Sequence, residues 1–185
     1  MKSVEEDVLY TIVSPNQKEA MIKHVKESSE LWIKTFFDPC QQISMFNKKE
    51  LLELSGYANY LIVNEYERKI FKDKTWKNKK ELLEIFNKII ITLWEKGSKI
   101  LSKKMELRIS SLKIENVVDP TWAWDAYRAW LLRWLKLWYN WEISAKLWTL
   151  LASYCVQSHW WQNHFVEKNI IEKEMEEKFW EAINL

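Results

Sequence analysis

Apolar residues recur three and four positions apart through most of this chain, the spacing that gathers them on one face of a helix. Met21, Ile22, Val25, Trp32, Ile33 and Phe36 follow Ser14-Pro15 at that spacing. Ser14 can cap, Pro15 suits a first helical position, and Gln17 completes a capping box. Asp38-Pro39 ends this first helix, because the residue before a proline avoids the helical region. After a short turn, Asn47 with Glu50 forms a second box, and Leu51, Leu54, Ala58, Leu61, Ile62 and Tyr66 extend a second helix. Gly56 within it suggests a close crossing of another helix. Residues 72–80, KDKTWKNKK, read as a basic loop. Asn78 with Glu81 then begins a third helix, sustained from Leu82 through Ile90, Trp94, Ile100 and Met105 to about residue 111, with Gly97 as a kink.

Asp119-Pro120 opens the last and largest element, and neither glycine nor proline occurs in the 65 residues that follow. One continuous helix of that length would span roughly 95 Å. A globule of this size has a radius of gyration of about 16 Å, so a bend near residues 159–169 and a final helix over about 167–183 are expected. Alternating strand pattern is confined to residues 8–13. The expected fold is all-α: an elongated bundle of four to five helices with a long Trp-rich C-terminal helix. It forms one domain, 1–185, with possible sub-units 1–115 and 119–185.

The segment 122–148, WAWDAYRAWLLRWLKLWYNWEISAKLW, carries seven of the 13 tryptophans. On a helical wheel Tyr127, Trp130, Trp134, Trp138, Trp141 and Trp148 fall in one narrow sector, and Tyr127, Trp134, Trp141, Trp148 and Cys155 stand seven apart. Bulky residues fill the first half of this seam and small ones, Ala145 and Ala152, the second. That pattern predicts a self-complementary antiparallel helix pair between two copies, or a helical protein partner, with Trp160 and Trp161 as further interface anchors. An intramolecular core on the first three helices is the plainer alternative.

Composition narrows the chemistry. Two glycines and three prolines leave few turns, and the formal net charge is +2. Cys40 and Cys155 are too few for a disulfide framework. The acidic N-terminal decapeptide is unlike a signal peptide, and no apolar run approaches ~18 residues. A cytoplasmic or otherwise intracellular protein is expected, without a transmembrane segment and with no preference for a membrane surface, or a virion component if the chain is coat-like.

No glycine-rich loop offers backbone amides to a phosphate, and none of the three histidines follows a glutamate at the di-iron spacing. No cofactor and no catalytic residue are expected. Cys155 and His159 share a helical face and are weak candidates for a metal or a thiol–imidazole pair. A basic footprint of Lys72, Lys74, Trp76, Lys77, Lys79, Lys80, Lys103, Lys104 and Arg108 could contact phosphates while Trp76 stacks on a base. The expectation is therefore a non-enzymatic structural protein that self-associates or binds a partner through residues 120–161. A nucleic-acid-binding coat or packaging protein using residues 72–80 and 99–108 is the alternative, and a small metal or thiol enzyme is the third.

Overall fold

The computed structural model describes residues 8–114, 116–118, 123–157 and 166–185, with residues 123–127 described as backbone only. The chain divides into two compact units, 1–108 and 109–185.

The first unit is built on a mixed sheet, and the expected all-α bundle is corrected. Its strands are β1 (Tyr10–Val13), β2 (Lys34–Phe37), β3 (Tyr60–Asn64), β4 (Lys88–Thr92), β5 (Ser98–Leu101) and β6 (Glu106–Ile109), in that spatial order. β1 to β4 run parallel, and β5 returns antiparallel to β4. Helix α1 (Lys18–Glu30) joins β1 to β2, a 3₁₀ turn (Cys40–Met45) and α2 (Lys48–Tyr57) join β2 to β3, and α3 (Glu65–Thr75) with α4 (Lys79–Ile85) join β3 to β4. This is the alternation of strand and crossover helix that a parallel sheet requires.

The parallel strands explain why the periodicity misleads. TFF, YLIV and IIIT are buried at every position. A strand covered on both faces shows no alternation and reads as a short apolar run, which also satisfies i, i+3, i+4 spacing. Phe37, Leu61, Val63, Ile89 and Ile91 join Met21, Val25, Leu51, Leu54, Phe71, Leu82 and Phe86 in one core. On the opposite sheet face Tyr10, Phe36 and Tyr60 pack as tilted rings across three strands, with centroids 6.1 and 4.3 Å apart.

Local signals fared better than long-range ones. The boxes at Asn47/Glu50 and Asn78/Glu81 form as expected, each with reciprocal side-chain and backbone hydrogen bonds. The first expected box does not: α1 starts after Gln17 with no side-chain cap. Each helix also ends sooner than its apolar pattern suggested, at Glu30, Tyr57 and Ile85, and a strand follows. Gly56 has open space where a Cβ would stand, so it marks no crossing. Gly97 lies in the turn between β4 and β5, with φ 84°. The weak strand signal at residues 8–13 corresponds to β1.

The second unit holds α5 (Ala123–Lys136), α6 (Trp141–Val156) and α7 (Lys168–Phe179). The final helix lies close to its expected place, whereas the long helix is broken at residues 137–140. There Trp138 adopts φ 66° and Asn140 caps α6 by accepting from the Ile143 N–H at 2.8 Å. Trp134, Leu147, Leu150, Leu151, Ile171 and Met175 form the core of this unit.

Candidate functional site

In a parallel sheet the carboxyl ends of the strands, where helices begin, are where ligands bind. Here that edge is stepped. Phe37, the last residue of β2, pairs with Leu61, and β3 continues three residues further to Asn64, which pairs with Thr92. At about 3.3 Å per residue, β3 and β4 project about 10 Å past β1 and β2.

Polar side chains collect at this step because β3 and β4 each end on one and another directly follows β2. Asp38 follows β2, is buried, and its N–H donates to the Val13 carbonyl at 2.9 Å, tying the ends of β1 and β2 together. Asn64 is both the last residue of β3 and the N-cap of α3: its side chain accepts from the Glu67 N–H at 2.8 Å, and its own N–H donates to Glu67 Oε2 at 2.9 Å. Glu67 is buried. Thr92 ends β4, and its hydroxyl donates to the Val63 carbonyl at 3.5 Å. A shallow cleft of about 340 Å³ lies beside the end of β1, lined by Thr11, Val13, Ser14, Asn16, Met21 and His24 among others.

Buried carboxyl groups, an amide and a hydroxyl at one sheet edge suit a polar, hydroxyl-rich ligand. Among the described residues no three His, Cys, Asp or Glu side chains converge as metal ligands. Sequence reasoning took Asp38 for a helix terminator and did not single out Asn64 and Glu67. The signal was present: Asn-x-x-Glu directly after the apolar run YLIV is a capping box after a strand.

The expected tryptophan seam is not a single surface. Trp134 and Trp148 are buried, Trp130 and Trp141 are half-buried, and Trp138 is exposed in the break between α5 and α6. Trp130 and Trp134 stack at 5.7 Å, and Tyr139 meets Trp134 edge-on at 5.8 Å. Ala145 is buried and Ala152 half-buried. The side chain of Tyr127, together with Trp160, Trp161 and His159, lies outside the described residues. Cys155 is buried.

The expected basic footprint is largely paired with acids or carbonyls. Lys74 donates to the carbonyls of Ser44 and Phe46 at 2.7 and 2.6 Å. Lys77 pairs with Glu81 at 3.1 Å, Lys79 and Arg108 with Glu106 at 2.8 and 3.2 Å, and Lys103 with Glu84 at 2.5 Å. These bonds hold the carboxyls of Glu84 and Glu106 below the usual carboxylate range. Lys72, Lys80 and Lys104 are exposed, and Trp76 lies under the Lys48 ammonium, 3.3 Å from the ring centroid. Among the described residues no helix is long and apolar enough to cross a membrane.

Comparison with known proteins places these features. Residues 4–168 match the family model described as pfkB family carbohydrate kinase. A nucleoside kinase from Methanocaldococcus jannaschii is 31% identical over 122 residues, which are 66% of this chain and 40% of that protein. The solved nucleoside kinase from Burkholderia thailandensis in complex with inosine superposes with a TM-score of 0.90 at 27% identity, over 97% of this chain and 59% of that one. The solved M. jannaschii nucleoside kinase, described as an archaeal member of the ribokinase family, gives 0.85 at 25% identity, over 91% and 56%. The chain thus spans about half the length of the proteins it matches. These are catalysts. They overturn the expectation of a non-enzymatic assembly protein, and with it both the coat-like alternative and the metal or thiol enzyme at Cys155 and His159.

Proposed function

The chain belongs to the pfkB family of carbohydrate kinases, and from that premise we propose that it serves an enzyme transferring a phosphoryl group from a nucleotide to a nucleoside hydroxyl. The likeness to nucleoside kinases carries this reading: 31% identity in sequence to one and a TM-score of 0.90 to another, solved with inosine and also with ADP-inosine. The stepped edge of the sheet supports it. Phosphoryl transfer asks a protein chiefly to position two substrates and stabilise developing charge. Asp38, Asn64, Glu67 and Thr92 are set by strand ends and a capped helix, so they hold position without a ligand. Supply of nucleotide makes the cytoplasm the compartment that fits this activity.

The test is ADP release from ATP with inosine, adenosine or ribose as acceptor, alongside thermal shifts with ADP and with inosine. Nucleoside-dependent release supports the proposal. Release with ribose alone transfers the reading to a sugar kinase. No acceptor-dependent release, with no shift by either ligand, overturns it.

A further inference from the structure

Among the described residues six non-glycine residues have φ in the left-handed region: Cys40 and five tryptophans, Trp32, Trp76, Trp94, Trp138 and Trp180, at 58°, 60°, 55°, 66° and 57°. For a bulky side chain that conformation is an outlier, because the Cβ crowds the following carbonyl. Glycine adopts it freely.

The positions are specific. Trp32 and Trp138 each follow a helix in a Schellman motif. The Trp32 N–H donates to the Ser29 carbonyl and the Ile33 N–H to the Ser28 carbonyl; the Trp138 N–H donates to the Leu135 carbonyl and the Tyr139 N–H to the Trp134 carbonyl. Trp76 and Trp180 are left-handed C-caps of α3 and α7. Trp94 opens the turn from β4 to β5. Helices commonly end on a left-handed residue, and that residue is usually glycine. Among the described residues α1, α3, α5 and α7 end so, and at each of them the left-handed residue is tryptophan.

The side chains offer little in return for the strain. The five are 94, 78, 66, 81 and 91% exposed. The Trp76 ring lies under the Lys48 ammonium. Composition supplies an independent observation. Average glycine usage of about 7% would give about 13 glycines in a chain this long, whereas the sequence has 2 glycines and 13 tryptophans.

We infer that the cell in which this protein is made inserts glycine at positions 32, 76, 94, 138 and 180, through a codon that the written sequence renders as tryptophan. One misassigned codon accounts for the missing glycines, the surplus tryptophans and the strained backbone together. The stop codon UGA fits: it differs by one base from the tryptophan codon UGG and by one from the glycine codon GGA. No chemistry on the finished chain is required, only a glycine-charged tRNA reading that codon.

The experiment is peptide mass spectrometry of the protein purified from its native cells. Tryptic peptides 27–34, 89–96 and 137–146 carry positions 32, 94 and 138. The expected fragment ions place a glycine residue mass at each; a tryptophan residue mass at these positions overturns the inference. A second arm uses the chain expressed as written. Trp→Gly at each of the five positions is expected to raise the folded-to-unfolded ratio about two- to fivefold, whereas Trp141→Gly, at the first position of α6, lowers it. Loss of stability at all five positions also overturns the inference.

Discussion

Trp32→Gly isolates the strain at a single residue. Trp32 is 94% exposed, so removing its indole forfeits almost no burial. Its φ of 58° costs an L-residue about 1–2 kcal/mol. Glycine returns about 0.4–1 kcal/mol of that through the greater freedom of the unfolded chain. The net expectation is a stabilisation of about 0.5–1 kcal/mol, a rise in Tm of roughly 1–4 °C for a chain of this length. Trp32→Ala is the control: it removes the same indole and keeps a Cβ in the left-handed region, so its stability should stay within about 0.5 kcal/mol of the parent. Thermal and urea melts followed by far-ultraviolet circular dichroism compare the three proteins. A glycine variant that melts at or below the alanine variant would refute the reasoning, since backbone strain would then not be the dominant effect at the end of α1.

Asn64→Ala removes the cap of α3 and should cost about 1 kcal/mol, read as a lower urea midpoint with unchanged slope. Phe71→Ala opens a cavity beside Phe86, whose ring centroid lies 6.2 Å away, and should cost about 3–5 kcal/mol by the same melt. Stability should fall on acidification. The Lys18 ammonium and the Asn47 N–H hold the Glu50 carboxyl below its usual range, and the Asn78 N–H and Lys77 do the same for Glu81. A depressed carboxyl contributes stability above its unfolded pKa of about 4.3, and that contribution is lost as pH falls through the lower folded value. Melts at successive pH values should therefore show a loss beginning below about pH 5, smaller in Glu50→Gln.

What the sequence disclosed was local. Asn47/Glu50 and Asn78/Glu81 announce their helices because a capping box is decided within four residues. The strands were hidden because burial on both faces erases alternation, and because β2 and β3 are separated from their neighbouring helices by only two or three residues, or by none. The site was hidden for a related reason: Asp38, Asn64 and Thr92 lie far apart in the chain and reach one edge of the sheet only once it is assembled. Tryptophan supplied the most misleading signal. A heptad seam through Trp134, Trp141 and Trp148 presupposes an unbroken helix, whereas Trp138 occupies the position at which α5 stops. The sequence also lacks a glycine-rich loop to cradle a phosphate. If positions 122 and 124 are decoded as the five strained positions are inferred to be, residues 121–125 gain a glycine on each side of Ala123, and such a loop is present.

The junction at Asn64 leaves the backbone no slack. One residue closes the β-ladder and starts the next helix, so α3 cannot slide or tilt without tearing either the pairing with Thr92 or its own first turn. A molecule arriving at this rim meets a fixed wall. Accommodation would have to come from the segments after β1 and β4, making Asn64 the reference point against which any closure is measured.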